Sequence, residues 1–214
     1  MDYSHILWDF NGTLLDDVTI GIESINALLT RRGLKPLESK EEYQKHFRFP
    51  IEDYYRSVGF DFDKDPYDLL AHEWVAEYRA RERTAPLCQG AKEALEYIQS
   101  RALPQILFSA TQKTMLCEQI EDLNIASYFT EILGSDNIYA EGKTALGVAW
   151  VQRVQPRHAL LVGDTEHDAA AAKAMGIDCV LIANGHRSAA HLRATGCPVF
   201  PTLPAWLTHL KNTL

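Results

Sequence analysis

Five short apolar runs with helical stretches between them constrain this chain more than any other feature. They are ILWDF at 6–10, PQILFSA at 104–110, FTEILGS at 129–135, HALLVGD at 158–164 and DCVLIAN at 178–184. ILW, QILF and ALLV are continuous apolar runs rather than alternating ones, as strands buried on both faces are. The stretches between them have helical spacing. Ala91, Leu95 and Ile98 share one face, Met115, Ile120 and Leu123 mark a second helix, and Leu146, Trp150 and Val154 a third. EHDAAAAKAMG is Ala-rich and stops at Gly176, a helix-ending residue. Such alternation predicts a parallel sheet covered by helices on both faces.

Residues 17–84 interrupt the pattern. They hold no convincing strand and are dense in charge and aromatics. Helical spacing recurs with Ile22, Ile25, Leu28 and Leu29 in VTIGIESINALLTRRG, and with Leu69, Leu70, Trp74 and Val75 in DPYDLLAHEWVAEYRARER. The chain rejoins the first pattern near TAPLCQG, where Pro86 and Gly90 punctuate it. The expected fold is α/β: a Rossmann-like parallel sheet with helices on both faces, built from residues 1–16 and 85–214, with an all-helical domain inserted at 17–84.

Composition removes several function classes. At 214 residues and 46% apolar content the chain can bury one sizeable core. Its formal net charge of −8 and lack of a Lys/Arg block argue against nucleic acid as partner. Cys88, Cys117, Cys179 and Cys197 form no C-x-x-C pair, so neither a zinc knuckle nor a redox motif is indicated. No stretch is long and apolar enough to span a bilayer. The opening MDYSHILWDF lacks a basic region followed by a long apolar run, so no signal peptide is read there and a cytoplasmic location is expected. Oligomeric state is not legible.

In open parallel sheets, ligands sit outside the carboxyl ends of the strands. Those ends carry Asp9, Asn11 and Thr13 after the first run, Ser109 after the second, and Asp164 and Asp168 after the fourth; the third leads to Lys143 at a helix start. Singly, each has an ordinary explanation: turn residue, helix cap or solvated lysine. Together they place three carboxylates, a hydroxyl and an ammonium at one edge. Clustered carboxylates repel unless a cation joins them, and Mg²⁺ prefers oxygen ligands. A carboxylate can then attack phosphorus and form an aspartyl-phosphate, with positioning and charge neutralisation supplying most of the catalysis.

On DFNGT, Ser109, Lys143 and GDTEHD, taken in that order, the chain resembles the haloacid dehalogenase superfamily in its phosphatase branch, with phosphoglycolate-phosphatase-like members nearest in style. The resemblance covers nearly the whole chain and implies that 17–84 is a small mobile cap that chooses the substrate. It also implies that Asp9 is the nucleophile, and that Asp9, the backbone carbonyl of Asn11, Asp164 and Asp168 hold Mg²⁺. Gly12, Thr13, Ser109, Ala110 and Lys143 would then surround the phosphoryl group of a small phosphorylated substrate. Arg48, in KHFRFPIED between two expected cap helices, is read as a cation for an anionic leaving group.

The family pattern D-x-D-G-T departs here at Asn11. In typical members the second Asp protonates the leaving alkoxide and later deprotonates the attacking water. An amide does neither near neutral pH. Metal binding and nucleophilic attack should survive while general acid–base assistance, about 10²–10⁴-fold, is lost. His167 and His46 are the alternative acids. Other readings in the same superfamily are a phosphonate-cleaving enzyme using Lys45, a dehalogenase, or a degenerate phosphate- or protein-binding module.

Overall fold

The computed structural model describes residues 3–140 and 142–213, with residue 213 described in backbone only. Its elements in chain order are β1 (His5–Trp8), α1 (Val18–Arg31), α2 (Lys40–His46), α3 (Ile51–Ser57), α4 (Tyr67–Arg79), α5 (Ala91–Ser100), β2 (Gln105–Gln112), α6 (Lys113–Asp122), β3 (Glu131–Ser135), α7 (Lys143–Val154), β4 (Ala159–Gly163), α8 (Glu166–Met175), β5 (Asp178–Ile182), α9 (Ala189–Arg193), β6 (Val199–Phe200) and α10 (Leu203–Thr213). The sheet runs β3-β2-β1-β4-β5-β6 with every pairing parallel. Since β1 is followed in space by β2 on one side and β4 on the other, the crevice where such sheets bind ligands falls beside its carboxyl end.

The continuous apolar runs are explained by two packed layers. Ile6, Trp8, Leu107, Leu160 and Val162 face one layer with Leu95 of α5, Leu116 of α6 and Trp206 of α10. The intervening Leu7, Ile106, Phe108 and Leu161 face the other, with Trp150 of α7 and Ala171 and Met175 of α8. Successive side chains of a strand point to opposite faces, so a strand covered on both has no polar position to spare. The expected α/β class is therefore what forms. Gly176 ends α8 in the left-handed region at φ 68.

The expected five strands are present, and β6 is a sixth. It is two residues long, too short to leave a periodic signal. The expected core range includes residues 1, 2, 141 and 214, which lie outside the described residues.

Between β1 and β2 the chain makes α1 to α4, and these helices bury their own apolar cluster: Val18, Ile25, Leu28, Leu29, Tyr43, Tyr54, Tyr55 and Leu70 among others. One expectation fails here. The helical spacing sets Leu69 with Leu70 on the apolar face, but Leu70 is fully buried and Leu69 is 49% exposed. Adjacent residues on a helix lie about 100° apart, and the buried stripe takes one of the two. Arg32 clamps the helices together, donating to Asp65 (2.8 Å) and to both oxygens of Glu73 (3.0 and 3.1 Å).

The helical segment sits on the loop after β5. Lys40 donates to the Asn184 carbonyl (2.7 Å), Gln44 to that of Gly185 (2.8 Å), and Arg187 to the carbonyls of Gln44 (2.8 Å) and Phe47. No helix among the described residues is long and apolar enough to cross a membrane.

Candidate active site

The carboxyl end of β1 delivers Asp9 into a cavity that Asn11, Ser109, Ala110, Lys143 and Asp164 also line. Asp9 is held by its backbone, whose N–H donates to the Val162 carbonyl of β4 (2.9 Å). The chain then turns tightly, with the Phe10 carbonyl accepting from the amides of Thr13, Leu14 and Leu15. Gly12 is compulsory in this turn: its φ is +73°, and a Cβ there would lie 2.3 Å from Asp164 Oδ2. Thr13 is buried beneath, its hydroxyl 3.2 Å from Asp164 Oδ1 and 3.4 Å from Asp9 Oδ2.

Lys143, the first residue of α7, is buried and donates to Asp9 Oδ1 (2.5 Å) and Asp168 Oδ1 (2.6 Å). Burial alone would lower its pKa, but Asp168 and Asp9 hold it above the ordinary lysine value. Burial pushes the Asp9 carboxyl up to about 6 against the pull of Lys143. Burial, with Asp9 and Asp168 beside it, likewise drives Asp164 well above the carboxylate range, although His186 pulls the other way. Asp168 differs. Its Oδ2 accepts from the Asp164 amide (3.2 Å) and from the amide (3.0 Å) and hydroxyl (2.7 Å) of Thr165, closing a capping box on α8. With Lys143 on Oδ1, both oxygens are engaged, so Asp168 orients the cluster from behind.

Asp9, Asp164 and Asp168 each offer an oxygen within 4.8 Å of the others. Three buried carboxylates thus face one ammonium, and two of them, Asp9 and Asp164, are held above their ordinary range by burial first and by neighbouring carboxylates second. Hard oxygen donors short of positive charge fit a small divalent cation.

Asn11 is embedded in a buried network that sequence reasoning missed. Its amide N–H groups donate to Asp17 Oδ2 (2.7 Å) and Tyr78 Oη (3.0 Å), while its Oδ1 accepts from Thr111 Oγ1 (2.7 Å). Asp17 accepts in addition from the Gly12 amide (2.9 Å) and the Tyr78 hydroxyl (2.7 Å), and lies 3.2 Å from His186 Nε2. Burial alone would raise Asp17, but His186, Asn11 and Tyr78 bring it below its ordinary value. Burial lowers His186, and Asp17 overrules this to hold it up at about 9. The two form a buried ion pair. The His186 amide donates to Asp164 Oδ2 (2.6 Å), and its Nδ1 meets the Tyr43 hydroxyl (2.7 Å). The only signal of His186 in the sequence was its place just after the fifth strand. Asp17 stood six residues past Asn11 with nothing to reveal its burial.

The remaining site residues divide sharply. Ser109 lies in β2 rather than at a helix cap, 2% exposed, its hydroxyl accepting from the Thr111 amide (3.1 Å). His167 lines the cavity and stacks on Phe49 at 4.3 Å. Arg48 is not brought to the cavity: it is exposed and folds back onto the carbonyls of Lys45 (3.0 Å) and His46 (2.9 Å). Lys45 is exposed, and His46 pairs with Ser57 (3.2 Å) away from the cavity wall.

The buried acid cluster and its lysine thus lie at the switch point of a parallel α/β sheet, where such sheets bind ligands. The family model of haloacid dehalogenase-like hydrolases matches residues 6–182, and the chain belongs to that family. It is similar to a phosphoglycolate phosphatase of Chromobacterium violaceum, with 24% identity over 91% of this chain and 92% of that protein. One from Neisseria gonorrhoeae is 26% identical over 85% of this chain and 80% of its own length. A haloacid dehalogenase-like family hydrolase from Streptococcus pneumoniae has the same fold at a TM-score of 0.82, with 22% identity over 97% of this chain and 98% of that one. The protein is thus a hydrolase of this family, in its phosphoglycolate-phosphatase-like branch.

Proposed function

We propose that the protein is a Mg²⁺-dependent phosphomonoesterase of a small phosphorylated metabolite in the cytoplasm, acting through an aspartyl-phosphate on Asp9. In this reading residues 1–16 and 85–214 are the catalytic core and residues 17–84 a cap over it. The observation that carries it is Asp9: buried at the end of β1, held by Lys143, beside Asp164 and on one cavity with Ser109.

An Asp9 oxygen attacks phosphorus, the bond to the leaving oxygen breaks, and the phosphoryl group is carried on Asp9. Lys143 and Ser109 hold its oxygens, keeping the charge that builds on them in a dry site. Asp9, Asp164 and the backbone carbonyl of Asn11 would hold Mg²⁺, with Asp168 behind them, and the bound cation would keep Asp9 ionised and neutralise phosphoryl charge. Water then attacks phosphorus, breaking the bond to Asp9 and releasing inorganic phosphate.

Asn11 takes no proton in either step. Both its N–H groups and its carbonyl are occupied, and turning the amide over would set its oxygen against Asp17. The second step therefore has no base at position 11, and phospho-Asp9 should accumulate.

The test is phosphate release from an activated acyl or aryl phosphate. Expected are a burst, a mass gain of one phosphoryl group at Asp9, loss of both in Asp9→Asn, and loss with chelator that Mg²⁺ reverses. Metal-independent turnover of a haloacid would favour a dehalogenase. No product at all would leave a binding module.

A further inference from the structure

Away from the phosphoryl end the cavity is aromatic. Phe47 and Phe49 come from the loop after α2, Tyr54 and Tyr55 from α3, Trp74 from α4 and Tyr139 from the loop after β3. From residues 17–84, among the described residues, no Lys or Arg lines it. The only charged lining group from that span is Asp17, already paired with His186. Arg48 is turned back on its own loop, and Arg187 is spent on Glu166 (2.8 Å) and two carbonyls. At the floor, Lys143 and His186 face carboxylates. A carboxylate on the leaving group would be buried here without a cation, which is strongly disfavoured. A ring would meet ring faces and edges. One buried atom of this wall also waits for a partner: the Tyr54 hydroxyl, on a residue 3% exposed, has no hydrogen bond.

We propose that the substrate is a small aryl phosphate, its leaving group an uncharged phenol-type ring seated between Trp74 and the aromatic side chains of the α2–α3 loop and α3. This rests on the phosphatase reading and deepens it. The chemistry agrees from an independent side. When Asp9 attacks, the phosphorus–oxygen bond breaks with its electron pair on the phenol oxygen. A phenolate of pKa about 10 leaves unprotonated, whereas an alkoxide, whose parent alcohol is about as weak an acid as bulk water, needs an acid. Asn11 supplies none. The phenolate takes its proton from solvent, and water attacking phospho-Asp9 gives its proton to solvent and its oxygen to phosphate.

The experiment compares phenyl phosphate, acetyl phosphate and phosphoglycolate with Mg²⁺ present, reading phosphate release. Acetyl phosphate is also activated but carries no ring, so it separates recognition from reactivity. Phenyl phosphate should have a KM at least about tenfold below that of acetyl phosphate, and phosphoglycolate should be the poorest of the three. Trp74→Ala should raise KM for phenyl phosphate about 2- to 12-fold, the range one ring–ring contact spans, and move that for acetyl phosphate less. Should Trp74→Ala not fold, wild-type inhibition decides: phenylphosphonate should inhibit at about tenfold lower concentration than phosphonoacetate. Equal inhibition, equal KM values for phenyl and acetyl phosphate, or phosphoglycolate as the best substrate would overturn the aryl assignment and leave the phosphatase reading standing. No phosphate from any of the three, acetyl phosphate included, would overturn both.

Discussion

Restoring an acid at position 11 looks like a repair, and the structure says it is a collision. In Asn11→Asp a carboxylate oxygen replaces the amide nitrogen that lies 2.7 Å from Asp17 Oδ2. With both groups ionised, repulsion at that distance is about 6 kcal/mol for an effective dielectric of 20. The alternative is to keep one proton on the pair. Holding a carboxyl of ordinary pKa about 3.9 protonated costs about 1.36 kcal/mol per pH unit, hence about 5.6 kcal/mol at pH 8 and about 1.5 at pH 5. The proton is the cheaper route throughout this range, and at pH 5 the saving is large. The hydrogen bond to Tyr78 Oη is lost as well, about 1 kcal/mol, while the His186 charge offsets part of the repulsion.

The sign follows from linkage. One carboxyl of the pair has its folded pKa raised, so the stability tied to its proton is present below about pH 4 and is lost as pH rises through the raised value. Urea denaturation of wild type and Asn11→Asp, both free of divalent cation, should show the variant at least about 2 kcal/mol less stable at pH 8, with most of that deficit gone at pH 5. Exchanging the two groups, Asn11→Asp with Asp17→Asn, should recover only part of that stability at pH 8: an amide again donates to a carboxylate, but His186 loses the Asp17 carboxylate it pairs with. An Asn11→Asp variant as stable as wild type at pH 8, or equally destabilised at both pH values, would refute the reasoning. In alkyl phosphate turnover, the double variant should exceed Asn11→Asp alone.

Three further outcomes are expected. Lys143→Met leaves Asp9 and Asp168 facing each other without their ammonium and should cost about 3–5 kcal/mol in urea denaturation, with phosphate release abolished. In the helical segment, Leu70→Ala should cost about 2–5 kcal/mol, whereas Leu69→Ala, on the exposed side, should stay within about 0.5 kcal/mol by the same measurement. Gly185→Ala puts a Cβ 1.9 Å from Asp164 Oδ2 and should raise the Mg²⁺ concentration needed for half-maximal phosphate release, read by titration.

How much the sequence disclosed depended on whether a property was periodic or relational. The sheet was legible because burial on both faces forces unbroken apolar runs, and five of its strands announced themselves that way. β6 did not, because two residues carry no period. The acid cluster was legible because parallel strands deliver their ends to one edge, so Asp9, Ser109, Lys143 and Asp164 met as expected. Arg48 failed for the opposite reason: a cation in a turn has carbonyls of its own loop within reach, and the sequence does not say which partner wins. Asp168 shows the same limit more mildly, since its type and position were plain but the three donors that occupy Oδ2 were not.

Asn11 is where the two kinds of property collide. Taken alone against a motif, it is a proton shuttle that has gone missing. Taken with Asp17, it is the donor that a buried carboxylate six residues on requires, since Asp17, Tyr78 and Thr111 together use both amide protons and the carbonyl. Position 11 is therefore constrained by position 17, and a single change at either leaves the other wrongly charged. The same constraint narrows the chemistry. A site that cannot lend a proton at position 11 works best on a leaving group that does not need one, and the aromatic wall above it is shaped to hold such a group. Charge in the loop and apolarity in the wall thus point to one kind of substrate by separate physical routes.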